Sequence, residues 1–154
     1  MRPFERSGDV VVASFTSLEA ELLNDLAAQV VDLLGDASSA DPAVARLLPD
    51  AYRDDDEAAQ EFRRFTEHGL TDRKISNAHT LIHSLEDGGE VELGRDAQQA
   101  WLRTLADIRL IIASRLGIET DDDTGRDESD ADLMLRDIYD WLANVQGSLI
   151  EALE

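Results

Sequence analysis

The stretch Asp96–Leu116 constrains the fold more than any other part of the sequence. At 3.6 residues per turn, its large apolar side chains cover more than one face of a helix, which is typical of a helix surrounded by other elements. Gly117 follows it as a helix-ending residue. The sequence therefore predicts a central helix. These apolar side chains are Trp101, Leu102, Leu105, Ile108, Leu110, Ile111, Ile112 and Leu116.

Two amphipathic segments are suited to pack along this helix. Thr16 and Glu19 have the T-x-x-E spacing of a capping box, and apolar residues then recur at helical spacing until Gly35, which is expected just beyond the helix end. Near the C terminus, apolar residues alternate at spacings of three and four, which predicts a helix with one packing seam. That seam contains Leu135, Ile138, Leu142, Val145 and Leu149.

The segment Asp41–Arg64 carries dense helix-boundary signals. Asp41 is a typical N-cap, and Pro42 sits at the first helical position, where its missing N–H costs nothing. A second proline ends this short helix, and an acid-led helix follows it. The pattern predicts a helix–turn–helix corner. We expect the third helix to bend or break near Gly69 and to end at 87–89.

Two short β-prone runs complete the pattern. Val10–Phe15 and Val91–Leu93 can pair as a two-stranded ribbon. The predicted fold is mainly α: a single helical domain over residues 1–154, with four or five main helices and this small β-ribbon. Residues 1–7 and 120–129 are expected to be flexible.

Charge is the strongest global feature, because the chain carries a net charge of -20. Such a field repels phosphate backbones and anionic membranes, so nucleic-acid and membrane partners are disfavoured. The basic residues Arg63, Arg64, Arg73 and Lys74 cluster, but acids interleave with them.

There is no cysteine, which excludes thiolate metal sites and cysteine nucleophiles. Without a signal-peptide pattern or a membrane-length apolar run, the expected location is cytoplasmic.

Candidate metal and catalytic residues are sparse. His79, His83 and Glu86 share one helical face, but "HTLIH" lacks the glutamate of a metalloprotease helix, so no metal and no cofactor is predicted. Asp107 and Arg109 lie inside the most apolar helix. They either belong to structural ion pairs with other charged residues or line a polar pocket with His79.

Three stretches carry a family resemblance: "DPAVARLLPDAYRDDDEAAQEFRRFTE", "WLRTLADIRLIIASRLGIE" and "YDWLANVQGSLIEAL". They resemble the actinobacterial domain-of-unknown-function family two thousand and seventeen, over nearly the whole chain. The resemblance implies a cytoplasmic protein without established catalytic residues. It also implies genes near those for a Clp-protease adaptor and a sulfur-carrier peptidase, and some members are labelled transcriptional regulators.

The favoured functional hypothesis is a non-enzymatic acidic interaction module, an adaptor or regulator linked to Clp-type proteolysis or sulfur-carrier metabolism. A transcriptional regulator and an enzyme with a carboxylate or histidine pocket are the alternatives. The predicted interaction residues are Arg63, Arg64, Trp141 and Val145. A protein partner is expected, and a homodimer through helices would be favoured by salt, with Trp141 either near its interface or packed on the central helix as part of the monomer core.

Overall fold

A computed structural model describes residues 1–36, 41–48, 57–120, 123 and 125–154, with the backbone alone at 57–68. The fold is mainly α with a small sheet, as the sequence predicted. Within these ranges, the elements follow the order β1 (Arg2–Ser7), β2 (Val10–Ser14), α1 (Ser17–Gly35), α2 (Pro42–Leu47), α3 (Glu57–Ser84), β3 (Glu90–Leu93), α4 (Arg95–Leu116) and α5 (Asp130–Leu153).

The sheet has three antiparallel strands in the order β1-β2-β3. The predicted pairing of β2 with β3 is confirmed, with Val11 opposite Leu93. The third strand, β1, corrects two expectations: the ribbon is not two-stranded, and Arg2–Ser7 is not a flexible leader. Its backbone pairs with β2, and Phe4, which is buried, donates its N–H to Ser148 Oγ at 2.8 Å. Buried backbone needs such partners, and they order the N terminus.

Helix α4 is central, as predicted, because it contacts every other described helix and β3. Trp101, Leu105 and Ile108 are at most 1% exposed. The Trp101 ring stacks on Phe15 and meets Phe4 edge-on, each at 5.7 Å between centroids. Helix α1 packs mainly against α3, and only part of it reaches α4. The core therefore grows outward from α4.

The helix ends follow local chemistry. The capping box is confirmed: Thr16 N donates to Glu19 Oε1 at 2.8 Å, and Glu19 N donates to Thr16 Oγ1 at 3.1 Å. At Gly117, φ is 72°, and its N–H reaches the last-turn carbonyls of α4. Gly35 was wrongly expected beyond the helix end. It is the last residue of α1, and the residue after it is extended.

An ion pair fastens α2 to α4. Asp41 caps α2 by accepting from Ala43 N at 3.0 Å, and Arg115 of α4 donates to both Asp41 carboxylate oxygens at 2.6 and 2.7 Å. The guanidinium hydrogen bonds, together with the Ala43 N–H, lower the pKa of Asp41 to about 2. The N-cap predicted from sequence thus also contributes a tertiary contact.

Helix α3 is continuous from Glu57 to Ser84, so the predicted break near Gly69 is wrong. One glycine in a long helix costs only about 1 kcal/mol, which a 28-residue helix in contact with α1 and α4 tolerates. Residues 49–56, where the predicted corner turns, lie outside the described residues.

In the loop before α5, Asp123 Oδ2 accepts from Glu119 N and Thr120 N. Flexibility of 120–129 stays a prediction, since part of that range is outside the described residues.

Two glycine substitutions should have opposite effects. A Cβ on Gly89 would overlap the carbonyl oxygen of Phe15, whose N–H already donates to Gly89 O at 2.7 Å. We expect Gly89→Ala to lower the free energy of unfolding by about 2 kcal/mol through this overlap. At Gly69 a Cβ meets no described atom within 4 Å, so Gly69→Ala should raise stability by about 1 kcal/mol. Urea unfolding measures both, and a stable Gly89→Ala would contradict the close approach.

Candidate functional site

A polar cleft lies between α3 and α4, with a volume of about 380 Å³. Leu70 and Ala106 supply its apolar surface. Its polar lining comes from α3 and α4: Arg73, Lys74, Asn77, Arg103 and Asp107. The two helices present these side chains because positions three and four apart share a helical face. Three cations and one carboxylate thus meet in one place.

The ion pair between Lys74 and Asp107 forms the inner wall of this cleft. Lys74 Nζ donates to Asp107 Oδ1 at 2.6 Å, and the two side chains are 17% and 4% exposed. Burial raises the pKa of Asp107, while the charges of Lys74 and Arg103 oppose that rise. The second carboxylate oxygen, Oδ2, is buried without a hydrogen-bond partner among the described residues.

Arg109 does not share this site. It donates to Gln146 Oε1 at 3.2 Å, and its guanidinium lies 4.5 Å from the centroid of the Tyr139 ring. Residues two apart on a helix point to different sides, so Asp107 faces α3 while Arg109 faces α5. His79 is exposed on α3 and does not line the cleft. The alternative in which Asp107, Arg109 and His79 line one pocket is therefore wrong, and for Asp107 the other alternative, a structural ion pair, is the one observed.

Sequence reasoning did not identify Lys74 as the partner of Asp107. One signal was available: among the fourteen Lys and Arg residues, Lys74 is the single lysine. A lone lysine among thirteen arginines indicates a position that uses a compact point charge on a flexible stem instead of the planar guanidinium fork.

The histidines lie on the surface of α3. His83 Nδ1 and Glu86 Oε1 are 2.7 Å apart, and both side chains are more than 60% exposed. The rings of His79 and His83 are 6.5 Å apart and tilted. Across the described residues, no three His, Cys, Asp or Glu side chains are grouped to hold a metal ion. The arrangement is that of an exposed hydrogen-bonded pair.

The predicted interaction residues have different environments. The side chains of Arg63 and Arg64 lie outside the described residues. Trp141 is half-buried and meets the Phe15 ring edge-on at 6.4 Å. Val145 is fully buried in the chain's own core, so its assignment to an interface is wrong. A repeating apolar pattern predicts which face of a helix packs. It does not predict which turns along that face remain exposed to solvent.

Helix α5 has an apolar face that passes from buried to exposed along its length. Met134, Ile138, Leu142, Val145 and Leu149 follow one another at spacings of four, four, three and four, which places them on one face. The last three are fully buried, Ile138 is half-buried, and Met134 is 64% exposed. We call Met134, Ile138 and the half-buried Leu135 the open end of α5. Asp130 and Asp137, both exposed, flank Met134 at i−4 and i+3.

The profile of the family described as Domain of unknown function (DUF2017) matches residues 1–153. The chain belongs to this family. The resemblance seen in the three sequence stretches is therefore confirmed, and the related proteins come from actinobacteria of the genus Mycobacterium.

Curated relatives carry a functional name. The proteins named "Oxidative stress regulator AosR" from Mycobacterium bovis and Mycobacterium tuberculosis are each 29% identical to this chain, in a match that covers 73% of this chain and 68% of the relative. No solved structure matches the chain significantly. Within the described ranges, every helix falls short of the combined length and apolarity of a bilayer span.

Replacing Lys74 should lower the free energy of unfolding, because the buried carboxylate of Asp107 then lacks its cation. Lys74→Met leaves Asp107 uncompensated, so we expect a loss of about 3–5 kcal/mol in the free energy of unfolding, measured in urea. The double variant Lys74→Met/Asp107→Leu should recover most of this loss, because paired apolar replacements remove the buried charge.

The matched control for this prediction is Arg73→Gln, which removes a neighbouring exposed cation and should change stability by no more than about 0.5 kcal/mol.

The pH dependence of the stability loss has a definite sign. Burial raises the pKa of Asp107, so its protonated form is favoured in the fold, and this contribution is lost as the pH rises. The Lys74→Met deficit should therefore be smaller near pH 4 than at pH 7. Equal losses for Lys74→Met and Arg73→Gln would contradict a special role for the pair.

Proposed function

We propose that this chain is a non-enzymatic regulatory protein that acts by binding a protein partner through the open end of α5. The observation that carries the proposal is the 64% exposure of Met134 at the end of a face that is otherwise buried. Apolar surface that continues a core stripe into solvent is typical of an interaction site. The name "oxidative stress regulator" of the mycobacterial relatives supports the regulatory part. The proposal includes the cytoplasmic location expected from the sequence.

Charge complementarity selects the kind of partner. Asp130 and Asp137 flank Met134 within a chain of net charge -20. A partner surface with an apolar anchor bordered by Arg or Lys would cover Met134 and neutralise the flanking carboxylates. A two-fold homodimer through the same face would bring these carboxylates close to their own copies, which is unfavourable. We therefore assign the open end of α5 to a basic partner and treat the predicted homodimer as an outcome of the test.

The other hypotheses receive less support. An acidic surface disfavours direct phosphate contacts along DNA, so regulation through a protein partner fits the charge better than a DNA-binding transcriptional regulator. The enzyme hypothesis depended on Asp107, Arg109 and His79 sharing a pocket, and these residues are on different faces. A link to Clp-type proteolysis or sulfur-carrier metabolism stays a prediction of the resemblance, since no contact described above bears on it.

Affinity capture with matched variants tests the proposed partner. The bait is the full chain, as wild type, as Met134→Asp or as Leu18→Asp, in an actinobacterial lysate. Leu18→Asp adds the same charge at another exposed apolar residue, 78% exposed on α1. We expect one partner that wild type and Leu18→Asp retain and that Met134→Asp binds at least about tenfold more weakly. Peptides of the partner that cross-link to residues 130–138 of this chain should be rich in Lys or Arg. The affinity for the partner should fall as the salt concentration rises.

Three results would contradict the proposal. Equal retention by Met134→Asp would remove the open end of α5 from the interface. Recovery of no partner that distinguishes the variants would do the same. Light scattering that shows a dimer for wild type and a monomer for Met134→Asp would assign the surface to a second copy of the chain. Circular dichroism of each variant confirms that the helices remain intact.

A further inference from the structure

Met134 presents a sulfur-containing side chain to solvent. The residue is 64% exposed and lies in the second turn of α5. The sequence has no cysteine and one other methionine, Met1, which is partly buried against the core. Peroxides oxidise thioether sulfur to a sulfoxide, and exposed sulfur is the most susceptible. A peroxide that reaches this chain therefore reacts first with Met134.

The position of Met134 gives its oxidation a consequence. Met134 is the exposed end of an apolar face whose next members are half-buried Ile138 and buried Leu142. A methionine thioether is apolar and flexible, which suits it to be covered by a partner surface. A sulfoxide is polar and accepts hydrogen bonds, so covering it without a donor costs free energy. One added oxygen atom thus changes this surface from apolar to polar.

The fold of α5 does not depend on this side chain. Residues further along the helix, among them Leu142 and Leu149, are fully buried and hold it in the core. Its N-terminus is capped by Ser129, whose Oγ accepts from Asp132 N at 3.1 Å. Changes at exposed positions away from such contacts alter stability little. Oxidation of Met134 therefore alters the surface of the protein and leaves the helix in place.

We propose that Met134 is a site of reversible oxidation by hydrogen peroxide, and that its sulfoxide releases the partner from the open end of α5. This inference rests on the partner binding proposed above. The sulfur lone pair attacks one peroxide oxygen, and an S–O bond forms as the O–O bond breaks. The second oxygen takes the proton of the first and leaves as water, so the sulfur loses two electrons and the peroxide is reduced. A methionine sulfoxide reductase reverses the change, as two thiols become a disulfide and the sulfoxide oxygen leaves as water.

The first measurement needs no partner. The full chain is treated with hydrogen peroxide under native conditions, the reaction is stopped with catalase, and mass spectrometry locates the added oxygen. We expect Met134 to be oxidised at about the rate of free methionine and Met1 more slowly. Circular dichroism and the midpoint of urea unfolding should be the same before and after treatment. Slow oxidation of Met134, or loss of helix, would overturn this inference and leave the proposed partner binding untouched.

The second measurement is affinity capture from an actinobacterial lysate. Wild type and Met134→Leu serve as bait, each with and without peroxide treatment, and catalase removes the peroxide before the lysate is added. Treated wild type should capture the partner at least about tenfold more weakly than untreated wild type, because its anchor now carries a polar oxygen. Treated and untreated Met134→Leu should capture equal amounts, since this variant has no sulfur at the site. Incubation of treated wild type with methionine sulfoxide reductases and dithiothreitol should restore capture.

The results separate a failure of this inference from a failure of the proposed function. If untreated wild type captures no partner that Met134→Asp loses, partner binding at the open end of α5 is wrong, and its control by oxidation is wrong with it. If treated and untreated wild type capture that partner equally, partner binding stands and the oxidation effect is wrong. An equal loss in treated Met134→Leu would assign the effect to another residue. Failure of the reductases to restore capture would contradict reversibility.

Discussion

The burial of α4 on nearly every side is the constraint on which this structure depends. Its apolar residues cover too much of the helix surface for one neighbour to shield. Helices α1, α2, α3 and α5 and strand β3 therefore all contact it. The aromatic side chains Phe4 and Phe15 close the space above Trp101, whose indole N–H donates to Ser84 Oγ at 3.1 Å. Burying such a helix is costly for its polar residues, because a buried polar atom without a partner loses free energy. Among the described residues, Thr104 Oγ1, Asp107 Oδ2 and Arg109 Nε are buried without a hydrogen-bond partner, and all three lie on α4.

The use of the few cations follows from this constraint. Arg115 joins α4 to the cap of α2, and Arg46 of α2 donates to Ile118 O at 2.6 Å. Arg6 of β1 donates to the last carbonyls of α5, at Ala152 and Leu153, where a cation also suits the helix dipole. These three arginines therefore connect elements distant in sequence. Others, among them Arg73, Arg95 and Arg103, make no hydrogen bond or ion pair within the described residues and remain exposed.

Sequence reasoning succeeded for features set by residues close together in the chain and failed for contacts between residues far apart in the chain. The capping box at Thr16, the N-cap at Asp41 and the apolar pattern of α4 are local, and all were predictable. Strand β1 was not predictable, because it is held in place by pairing with β2 and by the hydrogen bond from Phe4 to Ser148, which lies 144 positions away. The partner of Asp107 was missed for the same reason, since Lys74 lies 33 positions away. Val145 was misassigned because periodicity gives the face of a helix but not where along that face the covering elements stop.

Polar residues two positions apart on α4 serve opposite neighbours. Asp107 faces α3, where Lys74 neutralises it, whereas Arg109 reaches Tyr139 and Gln146 of α5. Protein interiors are close-packed and transmit strain, so a displacement of α5 by a bound partner would be felt at the Lys74–Asp107 pair through α4. Linkage then requires that a change at this pair which favours the displaced position of α4 also raises the affinity for the partner.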